Sequence, residues 1–277
     1  MENCTYKYSL REGATAFSTT RHGGVSVGAY ASFNANHYCG DDPKNVEANR
    51  SILCRELGIS NDHLIVPHQT HDTRTLIIDD DFFALSPSVR AERLEGIDAV
   101  CTNLPDTCVC VSTADCIPIL IYDEAHKVVS AIHAGWRGTV KRIVEQNIKV
   151  MSDNYGTNPS DCHAVIGPGI SLAAFEVGDE VYDEFHTEGF DMNLIAKRYP
   201  ASNNNNPSTT STDKESSKWH IDLPLCNKLQ LFHAGLREDH ITLSGICTYT
   251  QHSDFFSARR LGIKSGRILN GIMLQKK

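Results

Sequence analysis

Residues 98–134 read DAVCTNLPDTCVCVSTADCIPILIYDEAHKVVSAIHA, and this stretch decides the fold class. Its apolar runs, AVCTNL, TCVCVSTADCIPILIYD and KVVSAIHAGW, are short, rich in Val, Ile and Cys, and separated by turn residues. Such runs predict central strands buried on both faces, not the alternation of a half-solvated sheet. Helices are predicted on either side. Downstream, TVKRIVEQNIKVMSDNYG (139–156) sets Ile143, Val144, Ile148 and Met151 on one face, with Gly156 and Pro159 at its end. Upstream, DDPKNVEANRSILCRELGI (41–59) offers Asp41 or Asp42 as N-cap, Pro43 in the first turn, and Gly58 as terminator. Val46, Ile52, Leu53 and Leu57 form its apolar face.

Farther out the signals continue. HLIVPHQTHDTRTLIID (63–79) is strand-like on both sides of PHQTH, HAVIGPGIS (163–171) is strand-to-turn, and ITLSGICTYT (241–250) is strand-like. EVGDEVYDEFH (176–186) and WHIDLPLCNKLQLFHAGL (219–236) read as helical. RHGGVSVGAYASFN (21–34) reads as a glycine-containing loop able to carry binding groups. The polar run PASNNNNPSTTSTDKESSK (200–218) has no apolar anchor and is expected to be a flexible surface loop.

At 277 residues the chain approaches the upper limit of a single hydrophobic core, and one domain over 1–277 is expected. An apolar fraction of 40% and a charged fraction of 22% are those of an ordinary globular protein. The formal net charge of −8 argues against non-specific binding to nucleic acid or anionic membrane. No stretch reaches the ~20 apolar residues of a membrane helix, and the N-terminus lacks the apolar core of a secretory signal. A cytoplasmic location is therefore expected. The 10 cysteines are sparse for this length and form no CxxC pair, so free thiols are expected, without a disulfide scaffold or zinc ribbon. Oligomeric state is open between monomer and homodimer.

PHQTH (67–71), STADC (112–116) and HAGWRG (133–138) each set a metal-binding residue type beside turn formers at the edge of an apolar run. His71, Cys116 and His133 would supply two imidazoles and a thiolate, a three-donor set that leaves a catalytic zinc one open position. The 17-residue gap from Cys116 to His133 suits the ends of adjacent strands. Spacing alone leaves other readings open: structural histidines, an inert core thiol at Cys116, or a Cys116–His133 dyad in a metal-independent cysteine hydrolase.

STTRHGGVSVGAYASFN, GDDPKNVEANR, HQTH, TADCIPIL, HAGWRGT, IGPGIS and CTYTQHSDFFSARRLGIKSGR occur in the order found in the YfiH family, which this chain resembles from about Ser18 to Arg267. These laccase-like proteins were long labelled multicopper polyphenol oxidases. The resemblance implies a compact α/β (α+β) layered domain with a mixed β-sheet. It implies phosphorolysis of adenosine, inosine, guanosine and methylthioadenosine, together with hydrolytic deamination of adenosine. Purine nucleosides and phosphate would be its partners, and zinc its cofactor, with copper as the alternative metal. The implied ligands and catalytic residues are His71, Cys116 and His133. Asp72 departs from the glycine usual after QxH, and could add a carboxylate near the metal or cap a turn.

Arginine suits phosphate through its bidentate fork. Arg21, Arg50 and Arg137 stand in or beside the matching motifs and are candidates for it, with Arg259 and Arg260 weaker. Asn34 is a candidate for ribose or base. Asp115 is read either as orienting a ligand or moving a proton, or as pinning the turn before Cys116. Trp136 is read as packing, with base stacking as the alternative, and His68, outside QxH, as a neighbour of the site or a surface residue ahead of a further ligand. A copper phenol oxidase requires clustered HxH pairs, and the 13 histidines contain none. A non-catalytic partner protein is the remaining reading.

Overall fold

The computed structural model describes residues 4–200 and 217–275. The strands are β1 (Thr5–Tyr8), β2 (Ala14–Thr19), β3 (Leu64–Ile65), β4 (Thr75–Ile77), β5 (Ala99–Thr102), β6 (Cys108–Thr113), β7 (Ile117–Asp123), β8 (Val128–Ala134), β9 (Cys162–Ile166), β10 (Glu176–Val177), β11 (Ala196–Pro200), β12 (Ser217–Ile221), β13 (Ile241–Leu243) and β14 (Ile268–Leu274). The helices are α1 (Pro43–Leu57), α2 (Asp80–Ala84), α3 (Pro87–Arg93), α4 (Trp136–Val140), α5 (Ile143–Tyr155), α6 (Asp179–Thr187), α7 (Met192–Ile195), α8 (Leu223–His233) and α9 (Ala258–Leu261).

Two mixed sheets stack, and side-chain parity shows how. One runs β1-β2-β14-β6-β3, the other β13-β9-β7-β8-β5-β4. In β7, Ile117, Ile119 and Ile121 join a core with α5 and α8, whereas Leu120 and Tyr122 join one with Ala16, Val109 and Ile272 of the facing sheet. In β6, Val109 and Val111 face that second sheet, and Cys108 and Cys110 turn outward to Leu53 and Cys54 of α1. The order of layers is thus α1, sheet, sheet, and then α5 with α8. Strands between two apolar layers have no solvated face, which is why β6, β7 and β8 read as continuous apolar runs. A small antiparallel sheet, β10-β12-β11, completes the described residues.

α1 follows the capping signals. Asp42 accepts from the Lys44 N–H at 2.8 Å, and Gly58 adopts the left-handed conformation (φ 70°). The helix expected over 139–156 is interrupted: Arg142 is left-handed (φ 60°) and α5 starts at Ile143. The Thr139 carbonyl, which would accept from Ile143 in a continuous helix, is taken by the Arg142 N–H at 3.0 Å and by Gln230 Nε2 of α8 at 2.8 Å. Trp219–Ile221 is strand where helix was expected, because it pairs with β11, and Asp222 caps α8 only afterwards. Strand structure in 241–250 stops at Leu243. The ends of the loop expected over 200–218 are also strand, since Pro200 pairs with Ser217; residues 201–216 lie outside the described ones.

All ten cysteines are free thiols. Among the described residues no helix is long and apolar enough to cross a membrane.

On β9, the His163 ring stacks on His240 at 3.9 Å, and its Nε2 stands 3.7 Å from Glu124 Oε1. Burial, with His240 beside it, pushes the His163 pKa down; Glu124 pulls the other way and Arg11 adds to the lowering. A histidine with a lowered folded pKa adds stability above its unfolded value of about 6.5, and that stability is lost as pH falls toward the folded value. His163→Phe is expected to flatten the loss of melting temperature between about pH 7.5 and about pH 5. An unchanged slope in thermal melts would remove His163 as its source.

Candidate metal centre

Antiparallel pairing of β7 with β8 opposes Ile117 to Ala134 and Pro118 to His133. The turn residue just before β7 is Cys116, so strand register brings Cys116 and His133 to one sheet edge. His71 reaches the same point from the loop between β3 and β4. The donor atoms of His71, Cys116 and His133 all lie within 4.8 Å of one another, and His71 Nε2 is 3.9 Å from Cys116 Sγ. Zinc bonds of about 2.0–2.3 Å at tetrahedral angles would separate such donors by roughly 3.6 Å, so the set fits a small cation after slight contraction.

One carboxylate organises the centre. Asp98, fully buried ahead of β5, accepts from His133 Nδ1 at 2.7 Å. It also accepts the backbone N–H groups of Thr70, His71 and Asp72 at 3.2, 3.0 and 2.9 Å. His71 is held left-handed (φ 64°), a conformation costing a non-glycine residue about 1–2 kcal/mol, and these converging donors hold it there. With Nδ1 bonded to Asp98, His133 offers Nε2 to the centre.

Electrostatics follow from the same contacts. Burial alone would raise the Asp98 pKa, but the His133 bond and the backbone donors bring it below the usual carboxylate value. Burial would also push the Cys116 thiol up, yet His133 and His71 bring it down to about 6. His133 moves oppositely: burial lowers it, while Cys116 and Asp98 carry it up to about 9. The three groups form a thiolate–imidazolium pair backed by a carboxylate, and a divalent cation would replace the proton they share.

Packing leaves no slack beneath the donors. A Cβ on Gly135 would stand 2.9 Å from His71 Cδ2 and 3.2 Å from Cys116 Sγ, so a glycine follows Ala134. Gln69 clamps the His71 loop to β6: its Oε1 accepts from Ser112 N at 2.7 Å and its Nε2 donates to Ser112 O at 2.9 Å. Above the donors opens a cavity of about 320 Å³ lined also by Tyr38, His68, Ile263 and Arg267. That volume is at the lower end of small-molecule sites. A larger hollow of about 1100 Å³ by Arg11, Glu124 and Lys127 contains none of the three donors.

Of the other residues singled out from sequence, His68 lines the cavity, and the rest are not among its lining residues. Arg21 donates to Ala31 O and His252 O and lies over Phe256. Arg50 is 9% exposed, with Nη2 on Leu64 O and Nη1 buried without a partner. Asn34 is fully buried, donating to Asp41 Oδ2 at 2.9 Å and accepting the Arg267 N–H at 3.1 Å. Arg137 is exposed above Trp136. Asp115 (φ 89°) accepts from Thr248 Oγ1 and the Arg259 N–H, both at 2.7 Å, and so ties the Cys116 turn to two other segments. Arg259 donates its guanidinium to Glu176 O, and Arg260 reaches Tyr249 OH. Asp72 turns outward to Lys141 at 3.2 Å and is not among the clustered donors. Asp98, Gln69, Tyr38 and Arg267 were not singled out. The Ile-Asp-Ala-Val step into β5, a carboxylate at the mouth of a buried strand, was the one available signal for Asp98.

Fold and site together define a layered α/β protein with a His/Cys/His centre open to a small-molecule cavity. The family described as multi-copper polyphenol oxidoreductase laccase matches residues 15–275. A purine nucleoside phosphorylase of Bacteroides thetaiotaomicron is 46% identical over 260 residues, covering 94% of this chain and 91% of that protein. Adenosine deaminase RL5, from an unknown prokaryotic organism, is 40% identical over 94% of each chain. The crystal structure of YlmD from Geobacillus stearothermophilus superposes with a TM-score of 0.83 at 26% identity, covering 100% of this chain and 98% of that one. YfiH of Bacillus licheniformis gives 0.82 at 30% identity, over 95% and 93%. The chain belongs to this YfiH-type laccase-like family, and it is an enzyme.

Proposed function

We propose that this enzyme is a zinc-dependent purine nucleoside phosphorylase that also deaminates adenosine hydrolytically, with adenosine, inosine, guanosine and methylthioadenosine as its phosphorolysis substrates. The observation that carries the reading is the clustering of His71, Cys116 and His133 at the floor of a cavity sized for a small ligand. Two imidazoles, one thiolate and an open position are the donor set of a catalytic zinc site. Bound zinc supplies Lewis acidity and a water acidified toward neutrality. The chain's own residues do the rest. Asp98 fixes the His133 tautomer and the His71 loop. Arg267 lines the cavity, its guanidinium held by the carbonyls of Ser265, Gly266 and Ile263, and this makes it the candidate for an anion such as phosphate. Arg137, exposed four residues beyond His133, remains a second candidate for phosphate; Arg21, Arg50, Asn34 and Asp115 act by bracing the walls.

A second reading has its own support. Cys116, His133 and Asp98 stand in the order of a nucleophile–base–carboxylate triad, the arrangement of a metal-independent cysteine hydrolase. His71 has no task in that triad, and this favours the metal.

The test uses protein purified without an affinity tag. Near-stoichiometric zinc is expected, with adenine and ribose 1-phosphate formed from adenosine only when phosphate is present, and inosine formed with or without it. Adenine released equally without phosphate would contradict phosphorolysis. Full activity after complete chelation would move the assignment to the thiol hydrolase.

A further inference from the structure

The mouth of the cavity holds a histidine that the metal centre does not use. His68 lines the cavity that contains Cys116, and it is positioned from several sides. Its backbone is fixed, the N–H donating to Leu94 O at 3.0 Å and the C=O accepting from Gly96 N at 2.9 Å. Its ring stacks on Tyr38 with centroids 4.2 Å apart and planes 17° from parallel. Its Nδ1 meets Glu95 Oε2 at 2.7 Å. An ionised carboxylate only accepts, so Nδ1 carries the donated hydrogen; Nε2 takes no part in that bond and carries a proton of its own when the ring is an imidazolium. A surface His–Glu pair contributes little to stability. Backbone, stack and carboxylate all acting on one ring at a cavity mouth instead produce a defined orientation.

We infer that His68, oriented by Glu95 and Tyr38, is the proton donor to the departing purine. This inference rests on the phosphorylase reading above. In phosphorolysis a phosphate oxygen forms a bond to the ribose C1′ as the C1′–N9 bond breaks, and the bonding pair leaves with the base. An unprotonated purine departs as an anion. His68 acts in its imidazolium form, Nδ1–H held by the Glu95 carboxylate: transfer of the Nε2 proton to purine N7 lets the base depart neutral, and the neutral imidazole left behind regains a proton from solvent, to which the side chain is 40% exposed. General acid catalysis of this kind contributes about 10²–10⁴-fold. Glu95 is a positioning residue, acting through the Nδ1 hydrogen.

Paired substrates test the assignment. Inosine needs N7 protonation, whereas 7-methylguanosine leaves as a neutral base without it. His68→Gln, and His68→Phe which keeps a ring against Tyr38, are expected to lower kcat for inosine by on the order of 10²-fold with KM within about threefold. Cleavage of 7-methylguanosine should stay within about threefold of the parent enzyme. Glu95→Gln should show a smaller loss confined to inosine. Zinc content and melting temperature show that each variant is folded. Equal losses on both substrates, or inosine turnover unchanged, would overturn the role of His68. If the parent enzyme phosphorolyses neither nucleoside, the phosphorylase reading itself falls.

Discussion

Cys116→Ala is expected to release the metal and to reduce nucleoside turnover on the order of 10³-fold, while the protein keeps its fold. The loss of metal follows from donor chemistry. Two neutral imidazoles without the thiolate hold zinc far more weakly than the His/Cys/His set, and no carboxylate among the described residues joins the cluster to replace it. The loss of activity follows because electrostatic stabilisation by a metal is worth several kcal/mol, and each 1.36 kcal/mol is a factor of about ten. The fold survives because Cys116 stands in a turn and is partly accessible. That turn is held independently by Asp115 and by the Ile170 N–H on the Asp115 carbonyl at 2.8 Å. Metal analysis, steady-state rates and thermal melts read the three consequences separately. Parent-level turnover in metal-free Cys116→Ala would remove the centre from catalysis.

Asp98→Ala is expected to be the most damaging single change at the site, destabilising by roughly 3–5 kcal/mol, as for one partner removed from a buried ionic pair. It leaves His133 Nδ1 and the N–H groups of residues 70–72 facing an apolar gap where Asp98 had accepted them. Because the same carboxylate orients two ligands, metal affinity should fall by a further 10–100-fold in the fraction that folds. Asp98→Asn keeps one acceptor but turns an NH₂ toward donors, so it should fall between Ala and the parent. Denaturant titration and competition with a zinc indicator measure the two effects. A parent-like unfolding midpoint in Asp98→Ala would mean that the cluster of donors around this carboxylate contributes nothing to stability.

Central strands were legible because their signal is local. β5 to β8 are bounded by turn residues and buried on both faces, and both conditions are written into the 98–134 segment. β1, β2 and β14 were not legible. β14 is ILNGIML, with Asn270 and Gly271 at its centre, both poor strand formers. The structure supplies what each requires. Asn270 Oδ1 accepts from Ser18 Oγ at 2.5 Å and its Nδ2 donates to Thr113 Oγ1 at 3.0 Å. A Cβ at 271 would stand 2.5 Å from the Phe17 ring and 2.8 Å from Cys110 Sγ. These are contacts across some 160 to 250 residues of chain, which no window of sequence contains.

By itself the sequence determined the buried central strands and the bounds of α1 to within a residue and, through the motifs shared with the YfiH family, the layered α/β class and three residues suited to one cation. These depend on hydrophobic runs, caps and short motifs, each expressed within a few neighbouring residues. The tertiary structure decided what depends on register and burial: that Pro118 lies opposite His133, that Asp98 binds both the second imidazole and the loop of the first, and that Asn34 is sealed in the wall while His68 stands at the mouth. A side chain's role at the site is set by what surrounds it, and here those surroundings come from segments far apart in the chain.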